Sequence, residues 1–346
     1  MTPLEIRPLE GAGAEVLGVD IATLTVGDWN QIEAAFAAFG AIFFRDQILT
    51  EQDHVDFARR WGSINVNRFF SAHPGYPEIA LVVKEASDRT NIGSTWHADH
   101  SYDQEPALGS VLVARDLPAS GGDTSFASMY AAFDALTSGT QKALEALWAT
   151  HSARRVFGAQ EQDAEYEGRL GNDDVADEMP DVHHPVVIRH PISGRKALYV
   201  NPTFTTGIDG MDENEGLALL NQLYSHCQSD EFVGRFEWEP GSVALWDNRA
   251  MWHFAHNDYA GQRRVMHRVT IDGCALQEAI TPTKSDPTRT QRAGATLAGG
   301  IIAAAMLGIA EVIEPERVRQ DIEIVSEAPE EEPLTELDFG SLPPLN

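Results

Sequence analysis

A mixed fold, β with α, built on a double-stranded β-helix (jelly roll) core with packed surface helices, is predicted by two observations. Short apolar runs recur along the chain between turns rich in Gly, Pro, Asn and Ser, as the strands of a double sheet do. Only a few stretches carry apolar residues at helical spacing, and these have their own start or stop signals.

Taken in order, residues 4–24 set Gly11, Gly13 and Gly18 among alternating apolar residues, which reads as short strands and turns. Asp28 is expected to cap a helix with Trp29, Ile32, Ala35, Phe36 and Phe39 on one face, stopped by Gly40. Ala41 to Arg45 suits a buried strand. Thr50, with Asp53 three residues on, opens a second helix that Gly62 ends. Glu78 to Val83 is strand-like, and the polar stretch from Glu85 to Ser94 has the composition of a lid loop. Leu108 to Arg115 and Thr124 to Phe126 read as strands. Ala131 to Thr150, rich in Ala and Leu, predicts one surface helix, whereas Asp163 to Pro180 has no period and reads as an excursion. Val186 to His190, Ala197 to Val200, Phe232 to Trp238 and Val243 to Trp246 return to strand around a helix from Asn214 to His226. No internal repeat is present.

The composition narrows the partners. A net charge of −28 argues against nucleic acid and anionic membrane surfaces, which select Lys/Arg patches. Cys227 and Cys274 are the only cysteines, so no disulfide framework is implied and a reducing, cytoplasmic location is expected. The first five residues contain no basic region or apolar run, so no secretory signal is expected. The domain is expected to span residues 1–276, with 277–346 as a C-terminal extension. In that extension a polar linker precedes an uncharged run, Ala293 to Ala310, expected to be a buried or subunit-contact helix of a homo-oligomer, with a membrane helix as the alternative. Glu311 to Asn346 carries 11 acids against 2 arginines, and its last part reads as disordered.

The chemistry centres on Trp96-His97-Ala98-Asp99. Residues two apart in an extended chain point the same way, so His97 and Asp99 can offer a ring nitrogen and a carboxylate oxygen to one point. With one distant histidine they make a 2-His-1-carboxylate triad, which leaves coordination positions open on Fe(II). The second informative stretch is Trp246-Asp247-Asn248-Arg249-Ala250-Met251-Trp252-His253, followed by Arg264 and Arg268.

With the Gly121-Gly122-Asp123-Thr124 turn, His184-Pro185-Val186-Val187 and Asp258-Tyr259, these stretches resemble the taurine dioxygenase family of Fe(II)- and 2-oxoglutarate-dependent oxygenases, from about residue 4 to about residue 273. The resemblance implies His97, Asp99 and His253 as iron ligands, and Arg264 with Thr124 as the holders of the 2-oxoglutarate 5-carboxylate. It implies Arg268 as the clamp on an anionic substrate, and Phe157 and Phe204 as pocket aromatics. Two positions depart from it: Asn67 stands where those enzymes hold the sulfonate with a histidine, and Gly93 where they have asparagine.

The implied reaction takes O2, 2-oxoglutarate and a small organic anion, with taurine or another alkylsulfonate first and an alkyl sulfate, aryloxyalkanoate or biosynthetic intermediate as alternatives. Two readings from other classes compete. A zinc hydrolase can use the same three ligands, but leaves Arg264 and Thr124 without a role. A catalytically silent jelly-roll binding protein would not need an intact triad.

Overall fold

The computed structural model describes residues 4–158 and 173–279. The linker, the apolar run 293–310 and the acidic tail lie outside these residues, as does most of the excursion expected over 163–180.

Strands β1 (Glu5–Pro8) and β2 (Ala14–Leu17) precede helix α1 (Val26–Phe39) and β3 (Ala41–Phe44). Helix α2 (Glu51–Arg59) and the short β4 (Ile64–Asn65) and β5 (Ala72–His73) lead to β6 (Tyr76–Lys84), β7 (Gly109–Asp116) and β8 (Thr124–Ser128). Next come α3 (Met129–Asp134), α4 (Ser138–Leu144), β9 (Trp148–His151), α5 (Arg154–Phe157) and α6 (Asp173–Glu178). Strands β10 (Val182–Pro185), β11 (Val187–Arg189), β12 (Lys196–Leu198) and β13 (Thr205–Ile208) are followed by α7 (Glu213–Cys227). The described chain closes through β14 (Val233–Phe236), β15 (Val243–Asp247), β16 (Met251–Ala255), β17 (Arg264–Ile271) and β18 (Gln277–Glu278).

Nine strands form the major sheet, ordered β1-β2-β3-β15-β7-β17-β6-β5, with β4 beside β17. The three-stranded sheet β14-β8-β16 faces it. Side-chain alternation explains the layering. On β3, β7 and β15, residues Ile42, Phe44, Val111, Val113, Val243 and Leu245 join the outer core under α1 and α2. Their alternates Ala41, Phe43, Leu112, Ala114, Ala244 and Trp246 point inward and meet Phe126, Phe236 and Met251 of the facing sheet. Phe43 stacks on Phe236 with ring centroids 4.2 Å apart, which fixes the two sheets face to face.

Several expectations change in detail. Thr25, not Asp28, caps α1; Asp28 is the third helical residue and completes a capping box with it, as Asp53 does with Thr50 on α2. The single helix expected over 131–150 is two short ones and a strand. Thr137 accepts from the Thr140 amide and restarts the chain as α4; α3 is mostly buried, whereas α4 buries Thr140, Ala143 and Leu144 and exposes Ser138, Gly139 and Lys142. Asp173–Glu178 within the expected excursion is helical. Past residue 276, Gln277 and Glu278 still pair with β11, so the described chain stays with the domain. Among the described residues no helix is long and apolar enough to cross a membrane.

The turn between β15 and β16 closes on a buried charge. Asp247 accepts from the Arg249 amide, Nε and Nη2 and from His190 Nε2, all within 2.9 Å and almost wholly buried. Burial pushes the Asp247 carboxyl up, but Arg249 and His190 outweigh it and hold the group far below the carboxylate range. Asp247→Ala strands the guanidinium and is expected to cost about 3–5 kcal/mol, read as a lowered urea midpoint at unchanged m-value.

Helix α2 is tied to β7 by His54, whose Nε2 donates to the Val111 carbonyl at 3.0 Å. Burial lowers its pKa from 6.5 to about 3, so the folded protein keeps the ring neutral. Acid therefore protonates the unfolded chain first: this stability is present above about pH 6.5 and drains as pH falls towards 3. Between those values His54→Gln should make the fall in stability shallower by about 1.4 kcal/mol per pH unit, measured by urea unfolding across the series.

Candidate metal centre and anion site

His97 and His253 face each other across an isolated antiparallel bridge, each amide donating to the other's carbonyl at 3.1 and 2.9 Å. Residues paired this way present their side chains on one face, and here the ring centroids are 4.0 Å apart. Asp99, two residues beyond His97, reaches the same point. Its Oδ2 lies 3.3 Å from His253 Nε2, and its Oδ1 lies 3.7 Å from His97 Nε2. One ligand atom from each of the three falls within 4.8 Å of the others, and all three residues are buried.

The protonation states suit a cation. His97 Nδ1 donates to the Thr95 carbonyl at 2.6 Å, which leaves the Nε2 lone pair turned to the site. Burial, with His253 beside it, lowers the His97 pKa to about 3, so the ring is neutral. Burial pushes Asp99 up, but Arg268, His253 and His97 more than offset that and keep it ionised. Two imidazole rings and one carboxylate, clustered and buried, fit a divalent metal.

Strand β17 supplies the anion side. Its register with β6 is unbroken from Arg264↔Lys84 to Arg268↔Ala80, so residues 264, 266 and 268 share a face. Met266 on that face joins the inner core, whereas Val269 and Ile271 join the outer one, so both arginines enter the space between the sheets. Arg263 faces outward and pairs with Glu85 and Asp116.

Arg264 is 6% exposed, and its Nε and Nη2 are buried without a hydrogen-bond partner. The glycine turn is shaped around it. At Gly122 (φ +76°) a Cβ would stand 3.2 Å from Arg264 Cδ, and at Gly121 (φ +77°) it would strike Asp258 Oδ1. That Asp258 oxygen accepts from the Gly122 amide at 2.7 Å and pins the turn. Thr124 follows, buried, its hydroxyl accepting from Trp238 Nε1 at 3.0 Å, and the Trp238 ring lies 5.7 Å from the guanidinium. Burial lowers the Arg264 pKa, the signature of a cation awaiting a counter-charge. A planar carboxylate accepting both free N–H groups fits this cradle.

Both ends open on one cavity of about 270 Å³ that His97, Asp99, His253, Thr124, Arg264 and Arg268 line. Arg268 Nη1 is 3.1 Å from Asp99 Oδ2, and its guanidinium sits 5.2 Å from the Phe70 ring centroid. Phe157 and Phe204 line the cavity as expected. Asn67 does not: its Oδ1 accepts from the Phe69 and Phe70 amides at 2.8 and 3.1 Å, so it shapes the turn that delivers Phe70.

Five further histidines have structural partners. His190 binds Asp247, His226 the Ala132 carbonyl, His184 the Asp103 carbonyl, His183 Asp209, and His256 Ser125. His100, directly after Asp99, has left-handed backbone (φ 58°), and its Nδ1 bonds Asp103. Phe70, Thr95, Arg155, Thr203 and Trp238 were not found by sequence reasoning. They come from turns and a short helix whose side-chain directions no periodicity reports.

The comparisons with known proteins agree with this geometry. The sequence model of the "Taurine catabolism dioxygenase TauD, TfdA family" matches residues 5–270. The (S)-phenoxypropionate/alpha-ketoglutarate-dioxygenase of Sphingobium herbicidovorans is 33% identical, covering 80% of this chain and 98% of that protein. The alpha-ketoglutarate-dependent sulfate ester dioxygenase of Pseudomonas putida is 31% identical, covering 84% and 95% respectively. A solved taurine dioxygenase from Burkholderia xenovorans superposes with a TM-score of 0.66 at 30% identity, over 79% of this chain and 92% of that one. The jelly roll read from the short strands is thereby borne out. The chain belongs to the TauD/TfdA family and is an oxidoreductase, a dioxygenase that uses Fe(II) and 2-oxoglutarate.

Proposed function

We propose that His97, Asp99 and His253 hold the iron, that Arg264 and Thr124 hold the 5-carboxylate of 2-oxoglutarate, and that the enzyme hydroxylates a small alkylsulfonate gripped by Arg268. The observation that carries the substrate reading is Arg268 itself, a buried cation on the cavity wall beside the metal ligands. Iron, when bound, supplies the O2 chemistry that couples decarboxylation of 2-oxoglutarate, to succinate and CO2, to hydroxylation of a substrate C–H bond. The chain's own residues do the rest. Arg264 neutralises the cosubstrate's distal charge in a place closed to water, where a bidentate pair is strongest. Arg268 orients the substrate anion, and Phe70, Phe157 and Phe204 keep water from the reacting carbon. A carbon left carrying both hydroxyl and sulfonate expels sulfite and becomes an aldehyde.

Among the described residues lining the cavity, Asp99 is the one acid, and it is assigned to the metal. Taurine's ammonium would lack a carboxylate partner here. The reading therefore favours an alkylsulfonate with an apolar chain over taurine. The aromatic wall supports a second reading, an aryloxyalkanoate or alkyl sulfate held by the same arginine, in line with the named activities of the Sphingobium and Pseudomonas relatives.

Replacing His97, Asp99 or His253 by Ala should each weaken Co(II) binding, followed in the visible spectrum, by at least about 100-fold while the far-UV circular dichroism stays unchanged. A variant that still binds the metal normally does not belong to the triad. Arg264→Ala is expected to raise the 2-oxoglutarate Kd by about 30- to 4,000-fold, the loss of about 2–5 kcal/mol from a stripped buried charge pair. Arg268→Ala should instead weaken alkylsulfonates and spare 2-oxoglutarate. Both are read from the absorbance of the anaerobic Fe(II) chelate and its perturbation by substrate, and an exchange of the two effects would exchange the roles.

A further inference from the structure

We infer that Arg155 is a second anion-recognising, specificity-determining residue, and that the site favours substrates with an acidic group at each end of a short apolar segment. The inference rests on the reading of this cavity as the dioxygenase's substrate site. It goes beyond that reading by fixing the far end of the substrate.

Arg155 comes from α5, an element separate from the strand that carries Arg264 and Arg268. Together with its neighbours Val156 and Phe157 it lines the cavity. Arg154, the preceding residue, pairs with Asp181 at 2.8 Å. Arg155 has no ion-pair partner among the described residues, although the sequence holds 53 acids. Its Nη1 donates to the Thr205 carbonyl. A guanidinium has five N–H donors, so that bond fixes its position and leaves others for a ligand.

The turn that receives this bond is rigid. Asn201 accepts from the Phe204 amide at 2.9 Å and donates its own amide to Thr205 Oγ1 at 2.8 Å, and Tyr224 donates to the Asn201 carbonyl at 3.1 Å. Thr203 and Phe204 of the same turn line the cavity. The guanidinium is thus held in place before any ligand arrives, which lowers the cost of binding.

Charge balance points the same way. The cavity carries three arginines and one carboxylate. The cosubstrate uses Arg264 for one carboxylate and the metal for the other, so two cations remain. Arg268 stands at the metal end beside Asp99, and Arg155 stands with Phe157 and the 203–205 turn. Arg268 is buried and Arg155 is exposed at the cavity mouth, so a monoanion on Arg268 leaves Arg155 to solvent, and a substrate acidic at both ends answers both.

The test uses the full chain with Fe(II) and 2-oxoglutarate under anaerobic conditions, titrated with alkanesulfonates of graded length and with the same molecules carrying a terminal carboxylate. The dianion is expected to bind at least about tenfold tighter than its monoanionic partner at one chain length, as a charge-assisted hydrogen bond provides. Arg155→Gln should reduce that ratio to below about twofold, and Arg155→Met, which keeps the packing of the stem, is run beside it in case the first does not fold. Equal binding of the two ligands by the wild type at every length overturns the inference. So does a preference that survives in the folded variant. A variant that weakens both ligands equally also overturns it, marking Arg155 as a strut between α5 and the 203–205 turn. Failure of any chelate band to form with 2-oxoglutarate instead overturns the site reading itself, and the inference with it.

Discussion

Two backbone hydrogen bonds, exchanged between His97 and His253, hold the candidate metal centre together. They join an irregular segment that follows a long polar loop to a strand of the smaller sheet. Neither stretch alone could set two imidazoles with their ring centroids 4.0 Å apart. The bond pair fixes which side chains face each other, and Asp99 then arrives by being two residues further on. The β15–β16 turn does the corresponding work from the other side. By closing Arg249 and His190 on Asp247, it sends β16 back along the facing sheet with His253 on the cavity side. The Trp-Asp-Asn-Arg stretch is therefore scaffolding that positions His253.

The site concentrates positive charge inside an acidic protein. Burying Arg264 without a counter-ion costs free energy, seen as its lowered pKa, and the fold bears that cost through elements packed directly on it. The glycine turn, Trp238 and Thr124 surround the guanidinium closely enough that side chains at 121 and 122 would collide with Asp258 or Arg264. Arg268 bears less, since Asp99 lies 3.1 Å away. The same contact helps keep the Asp99 carboxylate ionised, so Arg268 and the His97–Asp99–His253 cluster are electrostatically joined.

What the sequence made legible follows the physics of each element. The strands with strict inner and outer alternation, Ala41–Phe44, Gly109–Asp116 and Val243–Asp247, were readable because both faces are buried in apolar cores. The shared direction of Arg264 and Arg268 was readable from a spacing of four on a strand. The stretch from 131 to 150 was not, because its Ala and Leu residues fill one core from two short helices and a strand, and composition cannot register the break that Thr137 imposes. Asn67 misled for a different reason. A polar residue in a turn serves the backbone as readily as a ligand, and here its side chain is used on the amides of Phe69 and Phe70. Arg155 lay next to an equivalent-looking Arg154, and only the coordinates separate the one pointing to Asp181 from the one lining the cavity.

Gly93 lies where the polar loop meets the candidate metal centre. It adopts φ +87°, and a Cβ there would stand 3.2 Å from His97 Cε1 and 3.6 Å from Nε2. Its carbonyl accepts from the Ala255 amide, so the polar loop is fastened to β16 just beyond His253. Where the resembled taurine dioxygenases place an asparagine, this chain therefore has a glycine packed close against His97 and no hydrogen-bonding side chain. The proposed substrate contacts on the cavity wall come instead from Arg268 and Arg155. Strands β16 and β17 carry His253, Arg264 and Arg268, and the irregular segment before β7 carries His97 and Asp99. The turns at 66–71, 92–95 and 201–205, with α5, supply much of the remaining cavity wall.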